Sequence, residues 1–246
     1  NISINPNVPE LGASNFAVPH RIVAHGSYRL EYRNKTMATT FGIFYSAQPQ
    51  ERYTFRYGAD INGDDQTNDM LYIPRDPSEI QFVEGFITRA GTFTAKQQSD
   101  AFFAFIENDK YLRKHKGQMM EKYGALLPWQ HTLDLRVMQD FVFRTGTKKH
   151  TIQVSVDVLN LLNLLNSNWG YRYQYTFGTF QDAGIVGKPT PKTSSAESNN
   201  SGNESFDPNN PKFTFDPNAP KQAYQAAYTT NSTWGLQLGL RYIFNN

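Results

Sequence analysis

Trp234-Gly235-Leu236-Gln237-Leu238-Gly239-Leu240-Arg241-Tyr242-Ile243-Phe244 decides the fold class of this chain. Trp234, Leu236, Leu238, Leu240, Tyr242 and Phe244 share one parity, so they share one face of a strand. Gly235, Gln237, Gly239 and Arg241 take the other face. The apolar face begins and ends in aromatic residues. Its ten steps of roughly 3.3 Å, tilted by about 40°, cover about 25 Å, the height of the apolar band on an outer-membrane barrel. Such a strand suits lipid on one side and water or small side chains on the other.

Four earlier segments alternate in the same way. Segment 20–33 groups Ile22, Ala24, Gly26, Tyr28, Leu30 and Tyr32 opposite Arg21, His25, Ser27, Arg29, Glu31 and Arg33, with Val23 the exception. Segment 36–48 groups Met37, Phe41, Ile43, Tyr45 and Ala47, and its face extends in this reading through Tyr53, Phe55 and Tyr57. Segment 131–143 sets Leu133, Leu135, Val137, Phe141 and Phe143 against Thr132, Asp134, Arg136 and Asp140, with Gln139 interrupting the apolar side. Segment 150–162 sets Ile152, Val154, Val156 and Val158 against Thr151, Gln153, Ser155 and Asp157.

Short turns near Asn34-Lys35 and Thr145-Gly146-Thr147-Lys148 alternate with two long connections, 58–129 and 163–231. Alternation of short and long connections is the pattern of outer-membrane barrels, with short periplasmic turns and long outer loops. The expected fold is therefore all-β: an antiparallel transmembrane β-barrel segment with long extracellular loops containing short helices. The C-terminus falls in the periplasm. A soluble antiparallel sandwich also alternates, but its usual strands of about five or six residues are much shorter than these. Five strands close no barrel, and each unpaired backbone group along an open edge in lipid costs several kcal/mol. Further strands are therefore required.

Composition narrows the function. Net charge is +2, so no electrostatic case for nucleic acid exists. There is no cysteine, which removes disulfides, thiolate metal sites and cysteine nucleophiles. Mean hydropathy is −0.59 and no apolar run reaches the length of a transmembrane helix. A barrel strand shows lipid only at every second residue, so this average leaves a membrane open. The start, Asn1-Ile2-Ser3-Ile4-Asn5-Pro6, lacks the basic start and apolar region of a signal peptide. An earlier part of the gene product is expected, with cleavage at an exposed loop as the expected cause of the break.

Several motifs in order resemble the C-terminal part of a TonB-dependent outer-membrane transporter of the Oar-like or SusC-like kind. They are Val18-Pro19-His20-Arg21-Ile22; Asp60-Ile61-Asn62-Gly63-Asp64 with Asn68-Asp69-Met70-Leu71-Tyr72-Ile73-Pro74; Pro128-Trp129-Gln130-His131-Thr132-Leu133-Asp134-Leu135 with Gln139-Asp140-Phe141; Asp157-Val158-Leu159-Asn160-Leu161-Leu162-Asn163; and Arg241-Tyr242-Ile243-Phe244. Asn245-Asn246 depart from the family's usual aromatic end. The resemblance implies the last five or so strands of a barrel of about 22 strands, with a plug domain inside it. It implies active import of a scarce solute through a Gram-negative outer membrane, this chain supplying barrel wall and extracellular vestibule. Implied partners are the remaining barrel strands and plug, the TonB complex through the absent N-terminal part, and a surface lipoprotein. The alternative role is a transporter-derived barrel that serves as scaffold or binding platform in a surface assembly.

Candidate sites are few. Asp60, Asn62 and Asp64 stand at positions 1, 3 and 5 of a D-x-N-x-D pattern, with the Gln66 carbonyl as a fourth ligand and Asn68 and Asp69 completing a calcium shell. Position 6 is Asp65 instead of Gly and position 12 is Leu71 instead of Glu; the competing reading is an Asx-rich turn. Arg21, Arg29, Arg33, Arg136 and Arg241, with His25, either attract an anionic substrate or pair with Glu31, Asp134, Asp140 and Asp157 in a lattice that holds register; the lattice is preferred. Thr94-Ala95-Lys96-Gln97 reads as a capping box, and Asp109 as the cap of a second short helix. These helices are expected to build an outer mini-domain with an aromatic core around Ala101, Phe102, Phe103, Phe105 and Ile106. Tyr171, Tyr173, Tyr175, Phe177 and Phe180 extend a strand and offer rings for stacking on sugars or peptides, or pack at the barrel top. No H-E-x-x-H, G-x-S-x-G, P-loop or G-x-G-x-x-G is present, so no enzyme is expected.

Overall fold

The computed structural model describes residues 11–176, 182–187, 207, 209–230 and 232–245. Their contacts divide the chain into two compact units. One holds Val18–Gln50, Pro128–Tyr173 and Ala226–Asn246; the other holds Asn1–Ala17, Glu51–Leu127 and Gln174–Gln225. The architecture is mostly β, with antiparallel pairing in its main sheet.

The first unit is a five-stranded antiparallel sheet of β1 (Ile22–Tyr32), β2 (Met37–Pro49), β3 (Trp129–Thr145), β4 (Lys148–Leu159) and β5 (Gly235–Asn245), ordered as they occur in the chain. Pairing aligns the alternating residues into rows. Tyr28, Phe41, Val137, Val156 and Leu238 form one row, and Tyr32, Met37, Phe141, Ile152 and Tyr242 another. One-residue slippage of any strand would throw its apolar set onto the opposite face, so this pattern pins the register. The apolar face stands exposed at the sheet's edges: Leu236, Leu238 and Leu240 are 57%, 71% and 79% exposed. Gln139, the interruption on this face, is satisfied locally. Its Oε1 accepts from Thr39 Oγ1 (2.6 Å) and from the Tyr32 hydroxyl (2.8 Å), and its Nε2 donates to the Asp140 carbonyl.

Both predicted tight turns are present. Arg33, Asn34 and Lys35 all adopt left-handed φ between β1 and β2, and Gly146 (φ 63°) opens the turn between β3 and β4. Two expectations need correction. The face of segment 36–48 does not continue through Tyr53, Phe55 and Tyr57. The chain breaks after Pro49, and Arg52–Tyr57 joins a different sheet, parallel to Asp182–Val186 and antiparallel to Ala125–Leu126. All three aromatic side chains are buried there. The strand expected to reach residue 162 ends at Leu159, because Asn160 turns left-handed (φ 51°) and α3 (Leu161–Leu165) follows. The αL step reverses the chain in a way no strand can follow.

The second unit has a core of its own. α1 (Ala95–Asn108) buries Gln98, Phe102, Phe105 and Ile106, a spacing that puts all four on one helix side. Phe102 packs on Phe82 and Phe215, and Phe105 meets Phe55 edge to face at 5.7 Å. The predicted capping box is formed: the Thr94 hydroxyl accepts from Gln97 N and the Gln97 side chain accepts from Thr94 N. The predicted cap of α2 (Lys110–Lys114) is formed too, Asp109 Oδ1 accepting from Tyr111 N and Leu112 N. Gln98 is fully buried and fully used, donating to the Val83 carbonyl (2.7 Å) and accepting from Phe215 N. Such pairing removes the penalty of burying an amide and ties three segments together. Asp216 Oδ1 accepts from Asn218 N, an Asx turn of the kind that Asp-Pro-Asn favours. Phe177 and Phe180 lie outside the described residues.

Candidate functional site

Three places carry the chemistry that the sequence singles out. The first is the polar face of the main sheet. Arg29 on β1 reaches across β2 to Asp140 on β3 (2.7 Å) and also touches Glu31. Gln153, opposite Asp140 in the register, donates to its other oxygen at 2.7 Å. Arg136 and its register partner Asp157 make a two-pronged ion pair. Of the expected cationic wall, Arg29 and Arg136 are therefore engaged by carboxylates. Arg21, Arg33 and Arg241 form no ion pair among the described residues. Each exposed pair is worth about 0–1 kcal/mol. The pairs hold β1, β3 and β4 in register and leave little free positive charge on these two arginines for a ligand.

The second place is the acidic loop. Asp60 spends both oxygens on its own backbone: Oδ1 accepts from Gly63 N (2.7 Å) and Asp64 N, and Oδ2 from Asp65 N (3.0 Å). Asn62 Oδ1 accepts from Asp64 N, Asp64 Oδ1 from Gln66 N, and Asp69 Oδ2 from Ile61 N and Asn62 N. Gln66 uses its side-chain oxygen to accept from Asn68 Nδ2. These are the bonds of an Asx-rich turn. Two features fit a hard cation all the same. Asp64 Oδ2 is buried with no hydrogen-bond partner, and Asp65, standing where calcium loops use glycine, takes the same left-handed conformation (φ 63°). Among the described residues no three acidic or histidine side chains group closely enough to hold a metal. A cation here would take Asp64 Oδ2 first and share the Asp60, Asn62 and Asp69 oxygens with the backbone N–H groups they already serve.

The third place is one the sequence reading named only through its tyrosines. A cavity of about 250 Å³ is lined by Trp129, His131, Asn168, Trp169, Tyr171 and Tyr173, with Leu162 and Gly170. Trp129 and His131 share the parity of Leu133 and Leu135, so they stand at the end of the sheet's apolar face. His131 lies between neighbouring rings: its Nδ1 meets the Tyr45 hydroxyl at 2.8 Å, and its ring stacks beside Trp129. The Asp157–Asn163 motif holds the opposite wall. Asn160 Nδ2 donates to the Gly170 and Ser232 carbonyls, while Asn160 N donates to Asp134 Oδ1. Asn163 Nδ2 donates to the Ser167 and Trp169 carbonyls, and its Oδ1 accepts from Trp234 N. The two asparagines thus fix the loop that carries Trp169. Their spacing was visible in the sequence; their targets, in a loop and at the start of β5, were not.

Comparison of the chain with models of protein families, with curated proteins and with solved structures found no match.

Proposed function

We propose that this chain forms the C-terminal wall of a TonB-dependent importer in a Gram-negative outer membrane. The observation that carries the reading is the inverted main sheet. Its strands run 11 to 17 residues, and their aligned apolar rows are the exposed side. A protein dissolved in water gains by burying such rows, at about 25 cal/mol per Å²; a protein in lipid gains nothing by hiding them. The rows end in Tyr32, Phe141, Tyr242 and Phe244 at one margin and in Trp129 and Trp234 at the other, as aromatic belts do at the two faces of a bilayer. The outer edges of β1 and β5 then pair with other strands to complete a barrel of about 22. Segments 58–129 and 163–231 form the extracellular vestibule, and the C-terminus is periplasmic. The solute is bound and passed without covalent change.

Calcium belongs to this reading as a stiffener of the 60–69 loop, held by Asp60, Asn62, Asp64, Gln66, Asn68 and Asp69. Protease resistance of that loop rises with calcium and falls with a chelator, and Asp64→Ala abolishes the difference. An equal cleavage rate in both conditions overturns the metal assignment.

The decisive experiment expresses the full-length gene product and asks where it resides. Fractionation with the outer membrane and dependence on detergent are expected. A monomer dispersed in plain buffer overturns the proposal. Deleting the upstream TonB-binding segment then separates the two membrane roles: import stops in a transporter, while a surface scaffold assembles unchanged. The self-contained aromatic core of the second unit, which suits a docking module, keeps the scaffold role in view.

A further inference from the structure

We propose that the cavity between Trp129 and Trp169 seats the sugar headgroup of an outer-leaflet glycolipid. The inference rests on the membrane reading above and adds a ligand to it. A hexose offers a C–H face that stacks on aromatic rings and a rim of hydroxyls that need hydrogen-bond partners. The cavity supplies both. Trp129 and Trp169 are 39% and 52% exposed, so their ring faces are accessible. Tyr171 and Tyr173 meet edge to face beside them at 6.3 Å.

The polar groups are oriented but not exhausted. Tyr45 occupies His131 Nδ1, and the Tyr171 hydroxyl donates to Asn168 Oδ1 at 2.8 Å. Among the described residues nothing pairs with His131 Nε2 or with the Asn168 amide nitrogen. Both remain for sugar hydroxyls. Among the described residues no carboxylate, lysine or arginine lines the cavity, so a phosphate or ammonium headgroup meets no counter-charge from them. The walls are fixed in advance by Asn160 and Asn163, which lowers the ordering cost of binding.

Position selects a lipid-borne sugar over a free one. Trp129 and His131 lead directly to Leu133 and Leu135 on the same face, and these continue into the exposed apolar rows. A sugar seated in the cavity lays its acyl chains along those rows. Aromatic side chains with an apolar body and a polar tip are enriched at this depth of a bilayer for the same reason.

Two of this chain's three tryptophans line the cavity, so the part of the emission change that Trp129→Phe and Trp169→Phe remove reports occupancy. The full-length protein is placed in phosphatidylcholine nanodiscs with increasing fractions of a diacylglycerol glucoside. A saturable emission shift is expected, retained in Trp234→Phe and weakened about tenfold in Trp169→Ala, with partial rescue by Trp169→Tyr. Glucose in solution, at the same concentrations, gives no shift. An equal response to added sugar-free phospholipid, or to glucose alone, overturns the glycolipid assignment while leaving the membrane reading intact. No response to the glycolipid in well-inserted protein overturns it too. Failure of the protein to enter nanodiscs overturns both readings.

Discussion

The two units of this chain use the same kinds of side chain in opposite ways. On the main sheet Leu236, Leu238 and Leu240 stand largely exposed, and the opposite face holds the Arg29–Asp140 and Arg136–Asp157 pairs. In the other unit Phe55, Phe102, Ile106 and Leu112 are fully buried, while Lys96, Asp100 and Arg75 lie outside. One unit gathers its apolar side chains around a core; the other presents them on an open face. Burial counts alone would call the sheet a poorly packed protein. The comparison teaches that exposure has meaning only relative to the solvent at that surface.

The strongest way to break the comparison is to cut a side chain from each unit. Phe102→Ala empties the space between Phe82 and Phe215 and should cost about 3–5 kcal/mol. Hydrogen exchange of the α1 amides reports the loss, and unchanged protection would mean the unit has no core of its own. Leu238→Arg should cost about 2–4 kcal/mol for insertion into vesicles, because a cation at mid-bilayer depth is desolvated. A loss near zero would place that face in water and end the contrast.

An alkaline titration sharpens the same contrast. Burial pushes the Tyr57 phenol up to about 12, and Tyr53, buried and bonded to Asp109, is raised as well. The unfolded phenols ionise near 10. Their contribution is thus complete below pH 10 and is lost as the pH climbs toward 12, on the order of 2–3 kcal/mol for Tyr57. The thermal midpoint of that unit should fall over that window. A pH-independent midpoint would show these phenols to be wet. The smallest expected effect is Thr94→Ala, which removes the side-chain half of the capping box and should cost about 1 kcal/mol. It should be seen as faster exchange confined to the first turn of α1.

Period-two segments were legible because strand parity is local: each residue's face follows from its neighbours two away. The hairpin turns and both helix caps were legible for the same reason. Tyr53, Phe55 and Tyr57 were misassigned because they keep that parity while pairing with Asp182–Val186, more than a hundred residues on, to which no local signal points. Leu161–Leu165 kept an apolar run past the strand end, and only the left-handed Asn160 marks the stop. At the acidic loop the donor types were readable. Their division between backbone N–H groups and a cation was not, since an Asp oxygen serves either. The aromatic cavity needed Trp129 and Trp169 to be brought together by a loop whose pegs are visible only in three dimensions.

Pro49 and Trp129 are register partners, and the Gln50 side chain donates to the Pro128 carbonyl, so the segment between β2 and β3 leaves and rejoins the sheet at adjacent sites. Its length is therefore invisible to the strand pairing. A lineage can exchange that whole cassette for another, or shrink it to a tight reversal, while the wall stays as it is. The inserted segment is in this way free to diversify faster than the sheet that carries it.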